Sequence, residues 1–294
     1  MAYGFRIVNV FTVDGDPFSG NPLCVFEDAV GLSDAQMQAL ARQLNLSETT
    51  FILPSERATA RVRIFTPGFE MPFAGHPTLG TAHVVRALRG GDRVTLEMHA
   101  GIVEVTADGD AWTLRAAKAP ATRKVDATRA EHARMVGLPD DAIGLADRNE
   151  SGPLHSGAEP LWVNTGVEQL VLPVRSAELV RAARPVPELI AKHGYSEARN
   201  EAMAYVWARE GDHIVVRFFF TQHGAVVEDP ATGSACANLG GWFLATGAPL
   251  PLTATLRQGD AVQRPSRLGL RVDADRHIYV TGSAIELGRG TLSL

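Results

Sequence analysis

The chain predicts an α+β fold made of two similar halves. Three observations carry that expectation: one strand–turn–helix segment occurs twice, each half closes with a hairpin signal, and the helical runs are too few to cover both faces of a doubly wound sheet. Residues 62–88 read Val-Arg-Ile-Phe-Thr, a loop with Glu70 and Pro72, then Ala74-Gly75-His76-Pro77-Thr78 and an apolar run. Residues 216–246 read Val-Arg-Phe-Phe-Phe-Thr, a loop with Glu228 and Pro230, then Ala231-Thr232-Gly233-Ser234-Ala235 and a second such run. Arg63 and Arg217 are 154 positions apart, and so are Phe65 and Phe219. A strand that ends in a glycine-containing turn and opens a helix offers backbone N–H groups to an anion. Two copies predict two lobes presenting two such turns to one shared cleft.

The remaining elements follow in the same order in both halves. Phe5 to Val13 is a strand-like run whose counterpart is Leu161 to Val174. Ser33-Asp34-Ala35-Gln36 has the capping-box pattern, and Met37, Leu40, Ala41 and Leu44 continue it at helical spacing. In the second half Pro187 starts a helix that Gly194 can end. Strands follow at Thr49–Leu53 and Ala202–Ala208. Val105 to Leu114 is a hairpin with an Asp108-Gly109 turn, matched by Val272 to Thr281 at an offset of 167. That larger offset places an insertion after the second helix, within 246–268. The expected lobes are 1–118, joined by 285–294, and 119–284. Residues 145–160 read as a loop.

Composition narrows the function. At 294 residues the chain can bury a sizeable core, and 45% hydrophobic with 21% charged residues is ordinary for a globular protein. A net charge of −5 gives no basic field for nucleic acid or an anionic membrane. No apolar stretch reaches the roughly 18–20 residues that span a bilayer, and Met1 to Arg6 lacks signal-peptide order. Two cysteines, neither in a CxxC pair, suit reduced thiols and a cytoplasmic location. There is no GxGxxG after a strand, no GxxxxGK[ST], no GxSxG, no HExxH and no Cys/His cluster, so neither a cofactor nor a metal is expected.

Three residues stand out as candidate catalysts. Glu48 lies where a helix gives way to a mostly apolar strand, and a carboxylate beside apolar surface can serve as a general base; a capping or surface glutamate is the plainer alternative. His76, between Gly75 and Pro77, stands near the start of the first repeated helix, where an imidazole suits acid–base work. Asp229, before Pro230, is either a turn opener or a carboxylate aimed at a substrate amine or hydroxyl. Ser234 can cap the following helix, bind a substrate carboxylate, or both.

Asn45-Leu46-Ser47-Glu48-Thr49, Phe73-Ala74-Gly75-His76-Pro77-Thr78 and Glu228-Asp229-Pro230-Ala231-Thr232-Gly233-Ser234-Ala235 together resemble the PhzF-like, phenazine-biosynthesis-like family, along nearly the whole chain and including Gly20-Asn21-Pro22. The resemblance implies the diaminopimelate-epimerase fold: two pseudo-symmetric lobes, each a rolled, mainly antiparallel sheet around a central helix starting near Pro77 or Ser234. It implies a homodimer and a cofactor-independent isomerase acting on a small carboxylic acid. Glu48 then shuttles the proton, His76 and Asp229 hold and polarise the substrate, and Gly75, Gly233 and Ser234 frame its carboxylate. Ala74 and Ala231 stand at about the places where epimerases of that fold carry two cysteines, so two-thiol racemisation is not expected. A lyase or dehydratase acting on a hydroxy acid, and a non-catalytic small-molecule-binding homologue, are the alternatives.

Overall fold

The structure is a computed structural model that describes every residue except Ala117, 146–158 and His223. The expected loop over 145–160 therefore lies, but for its ends, outside the described residues. Two units are distinguished: Met1–Arg115 with Arg264–Arg267 and Thr281–Leu294, and Ala116–Gln263 with Leu268–Val280. Among the described residues no helix is long and apolar enough to cross a membrane.

In the first unit the apolar run after His76 is a helix enclosed by strands. The elements are β1 (Ala2–Val10), β2 (Asn21–Phe26), α1 (Asp34–Leu44), β3 (Glu48–Leu53), β4 (Ala60–Phe65), β5 (Glu70–Met71), α2 (Gly75–Arg89), β6 (Arg93–Met98), β7 (Gly101–Asp108) and β8 (Ala111–Arg115). β1 pairs antiparallel with β2, β2 parallel with β3, β3 antiparallel with β4, β4 parallel with β6, β6 antiparallel with β7, and β7 antiparallel with β8. The chain returns as a last strand over 281–293 that pairs with both β1 and β8, which closes the barrel.

α2 fills that barrel with ten buried residues, His76 among them. Gly80 is required there, because a Cβ would come within 2.7 Å of Leu23 and 2.8 Å of Val10. α1 lies on the outside of the wall. Its Ser33–Gln36 capping box is formed, and Asn45 ends it in the left-handed region at φ 52°. Its apolar face covers Phe26, Phe51 and Phe65, whose rings stack or meet edge-on at 4.8 and 5.4 Å. Each such side chain contributes about 1.5–3 kcal/mol by burial.

The second unit holds β9 (Ala121–Lys124), α3 (Arg129–Met135), β10 (Leu161–Asn164), β11 (Glu168–Pro173), α4 (Ala177–Ala182), α5 (Pro187–His193), β12 (Tyr195–Ser196), β13 (Glu201–Glu210), β14 (His213–Gln222), β15 (Ala225–Asp229), α6 (Gly233–Ala245) and β16 (Leu252–Gln258). β17 (Ser266–Val272) and β18 (Ile278–Ser293) carry residues of both units. Here β10 pairs antiparallel with β11, β11 parallel with β13, β13 antiparallel with β14, β14 antiparallel with β15 and parallel with β16. This is the succession of β1, β2, β3, β4, β5 and β6. The sequence match of Phe5–Val13 to Leu161–Val174 needs correcting: Gly166, at φ 147°, breaks the latter into β10 and β11, the counterparts of β1 and β2. α3 and α4 are helices that the sequence reading leaves out.

One paired feature anchors both repeated turns. Arg63 grips Glu70 through two hydrogen bonds of 2.7 and 2.6 Å, and Arg217 grips Glu228 at 3.0 and 2.6 Å. Each guanidinium lies over the phenylalanine two positions on, 5.0 Å from Phe65 and 4.7 Å from Phe219. The two arginines thus tie β5 and β15 to their sheets, just ahead of the turns that open α2 and α6.

Candidate active site

In the first unit the structure brings Glu48 and His76 together. Asn45 ends α1 and the chain enters β3 at Glu48, opposite Leu23 of β2. His76 is the second residue of α2. Its Nε2 lies 3.5 Å from Glu48 Oε2, with side-chain exposures of 5% and 16%. The imidazole also hydrogen-bonds the backbone of Pro22. Proline offers only a carbonyl there, so His76 donates, through its other nitrogen, Nδ1. Burial outweighs that bond and pushes the imidazole down to about 3, which keeps it neutral near pH 7. A neutral imidazole protonated at Nδ1 presents a lone pair at Nε2. Any proton between the two side chains is therefore carried by Glu48.

In the second unit Asp229 ends β15 and its side chain is held by the turn that follows. Thr232 Oγ1 donates to Asp229 Oδ2 at 2.5 Å. Gln258, at the end of β16 and only 1% exposed, clamps that turn. Its Nε2 donates to the Asp229 carbonyl at 2.9 Å and to Thr232 Oγ1 at 3.0 Å, and its Oε1 accepts from the Thr232 N–H at 3.2 Å. Ser234 is the second residue of α6, the place His76 occupies in α2.

The two helices begin at Gly75 and Gly233, earlier than Pro77 and Ser234. Ala74 and Thr232 are the N-cap residues, and neither side chain caps. Ser234 therefore does not cap α6. The first N–H groups, those of Gly75 and His76 in α2 and of Gly233, Ser234 and Ala235 in α6, are suited to an anion. The equivalent of Ala74 is Thr232 rather than Ala231. Cys24 and Cys236 are both buried free thiols, and burial pushes Cys24 up to about 12 and Cys236 higher still. Such thiols are inert near neutral pH.

Four further residues matter that sequence reasoning did not single out. Pro22 was visible only inside the Gly20-Asn21-Pro22 motif, with no role attached. Gln258, Gln169 and Asn238 carried no signal: a buried amide on a strand or helix looks like any polar residue until its partners are known.

A family model described as phenazine biosynthesis-like protein matches residues 8–290. The chain is 38% identical to an uncharacterised isomerase of Pasteurella multocida over 293 residues, 99% of this chain and 94% of that protein. It is 33% identical to the trans-2,3-dihydro-3-hydroxyanthranilate isomerase of Pseudomonas aeruginosa over 274 residues, 91% of this chain and 90% of that one. Its fold is that of the crystal structure of a PhzF-family phenazine biosynthesis protein from Bacillus anthracis, with a TM-score of 0.83, 22% identity and full coverage of both chains.

Proposed function

Because this chain belongs to the phenazine biosynthesis-like (PhzC-PhzF) family and is an isomerase, we propose that it moves a proton from one atom to another of a small carboxylic acid, without a cofactor, with Glu48 as the shuttling group. The observation that carries this reading is the Glu48–His76 pair. A carboxyl group sheltered from bulk water sits beside an imidazole that can accept from it but has no proton of its own to offer at that face.

Ionised Glu48 removes a proton from a carbon acidified by its neighbours. The protonated carboxyl donates to His76 Nε2, which keeps it oriented until it returns the proton to another position. Backbone N–H groups at the start of α6, with Ser234, hold the substrate carboxylate. Asp229, fixed by Thr232 and Gln258, orients an amine or hydroxyl. General acid–base catalysis of this kind supplies about 10²–10⁴ in rate. In this reading the two units are pseudo-symmetric lobes, each a rolled sheet around a central helix, and the protein is a cytoplasmic homodimer.

The first compound to offer is trans-2,3-dihydro-3-hydroxyanthranilate, a cyclic acid bearing both an amine and a hydroxyl. In deuterated water, NMR and mass spectrometry should find a product of unchanged composition carrying solvent deuterium. Loss of water from the product would instead establish a lyase. Tight binding of small carboxylic acids without turnover of any would establish a binding protein.

A further inference from the structure

A chain of four buried or half-buried polar side chains ends on Ser234, and its direction is set by the backbone. Asn238 Oδ1 accepts from the Thr165 N–H at 2.9 Å and from Thr165 Oγ1 at 2.8 Å. Its Nδ2 donates to the Val167 carbonyl at 2.8 Å and to Gln169 Oε1 at 2.7 Å. A backbone N–H can only donate and a backbone carbonyl can only accept, so these two anchors allow one orientation of the Asn238 amide. Gln169 must then accept with Oε1, which turns its Nε2 toward Ser234 Oγ, 3.0 Å away. Asn238 is fully buried and Gln169 is 2% exposed, so water does not compete for these bonds. Ser234 Oγ is an acceptor inside the network. Among the described residues no acceptor takes its proton.

The same place in the repeat is treated the same way in the first unit. There β2 supplies the Pro22 carbonyl that fixes the polarity of His76; here β11 supplies Gln169. The outcome is opposite. His76 is left presenting a lone pair, and Ser234 is left presenting a proton.

We propose that Gln169, locked by Asn238, is a positioning residue that turns the Ser234 hydroxyl proton toward the substrate, and so favours an anionic oxygen at that point. This rests on the proposed role of Ser234 in holding the substrate carboxylate. A hydroxyl free to rotate would serve a donor or an acceptor equally well. One that already accepts from a buried amide keeps its O–H for an outside acceptor, while a substrate donor finds one lone pair where two stood.

The test is calorimetric titration of anthranilate, a stable aromatic carboxylate, into the full chain and its variants. Gln169→Leu should weaken binding about three- to tenfold. It should add no further loss in a Ser234→Ala background, whereas a merely structural role would weaken both alike. Gln169→Glu keeps the shape but, when ionised, accepts from both neighbours and turns the Ser234 proton inward, so binding near pH 8 should fall more than with leucine. Protonation of the introduced carboxylate restores the original polarity, so affinity in that variant should recover toward about pH 6, while the wild-type value changes little.

Equal binding by wild type and Ser234→Ala would overturn the carboxylate role of Ser234, and this proposal with it. A loss on Ser234→Ala with none on Gln169→Leu, or with no recovery of Gln169→Glu at lower pH, would overturn the proposal alone. So would absence of anthranilate binding from a wild-type protein that still turns over its substrate with deuterium uptake.

Discussion

His76 Nε2 stands 3.5 Å from Glu48 Oε2, and the carbonyl of Pro22 on the far side of the ring decides which of them can carry a proton. The distance is longer than a well-formed hydrogen bond. It suits a pair that tightens when Glu48 is protonated and relaxes when Glu48 is ionised.

That arrangement has a consequence for stability. Burial pushes His76 down to about 3 and His132, within α3, down to about 4, from an ordinary 6.5. Below pH 6.5 the unfolded chain takes up these protons and the folded chain refuses them. The contribution is fully present above 6.5 and is lost as pH falls toward 4 for His132 and 3 for His76. Urea midpoints should therefore drop between about pH 7 and about pH 4.5. His132→Gln should shrink that drop, and an unchanged pH dependence in the variant would contradict the assignment.

Glu228→Gln should cost about 3–5 kcal/mol, because Arg217 and Glu228 are each 9% exposed and the arginine is left charged in the interior. Glu70→Gln should cost less. That pair is more open, and Arg63 keeps Asp34 as a second partner. Denaturant unfolding of the two variants checks the order.

Gln258→Leu removes the clamp on the Asp229–Thr232 turn and leaves the Thr232 N–H without its buried acceptor. A loss of about 1–3 kcal/mol in stability is expected, with at least a roughly tenfold fall in kcat/KM as Asp229 loses its orientation. Full activity in a destabilised variant would mean that the turn orients itself.

The legible part of this protein was its repetition. Phe65 and Phe219, Glu70 and Glu228, and the glycines that open α2 and α6 carry the same local pattern, so strand, turn and helix could be read twice. Ser33 with Gln36 announces α1, and Thr128 with Glu131 forms the same capping box at the start of α3. Leu161–Val174 failed as one strand because the short polar turn Asn164-Thr165-Gly166, with Gly166 at positive φ, separates β10 from β11. Glu48, His76, Asp229 and Ser234 were visible as chemistry-bearing residues beside turns. The groups that give them direction were not. Pro22 acts through its carbonyl, which every residue has, and Gln169, Asn238 and Gln258 act through partners 65 to 73 and 26 to 29 positions away.

Replacing both cysteines with alanine should leave turnover within about twofold, since neither thiol ionises near neutral pH. Folded wild type should likewise resist a thiol-specific reagent until denatured. A collapse of activity in the double variant, with its fold intact by circular dichroism, would revive two-thiol chemistry.

The most direct test is deuterium uptake by Glu48→Gln, with trans-2,3-dihydro-3-hydroxyanthranilate in deuterated water. The wild type should label its product while the variant, still folded and still binding the acid, turns over about 10²–10⁴ times more slowly. Labelling at the wild-type rate in the variant would show that another group moves the proton.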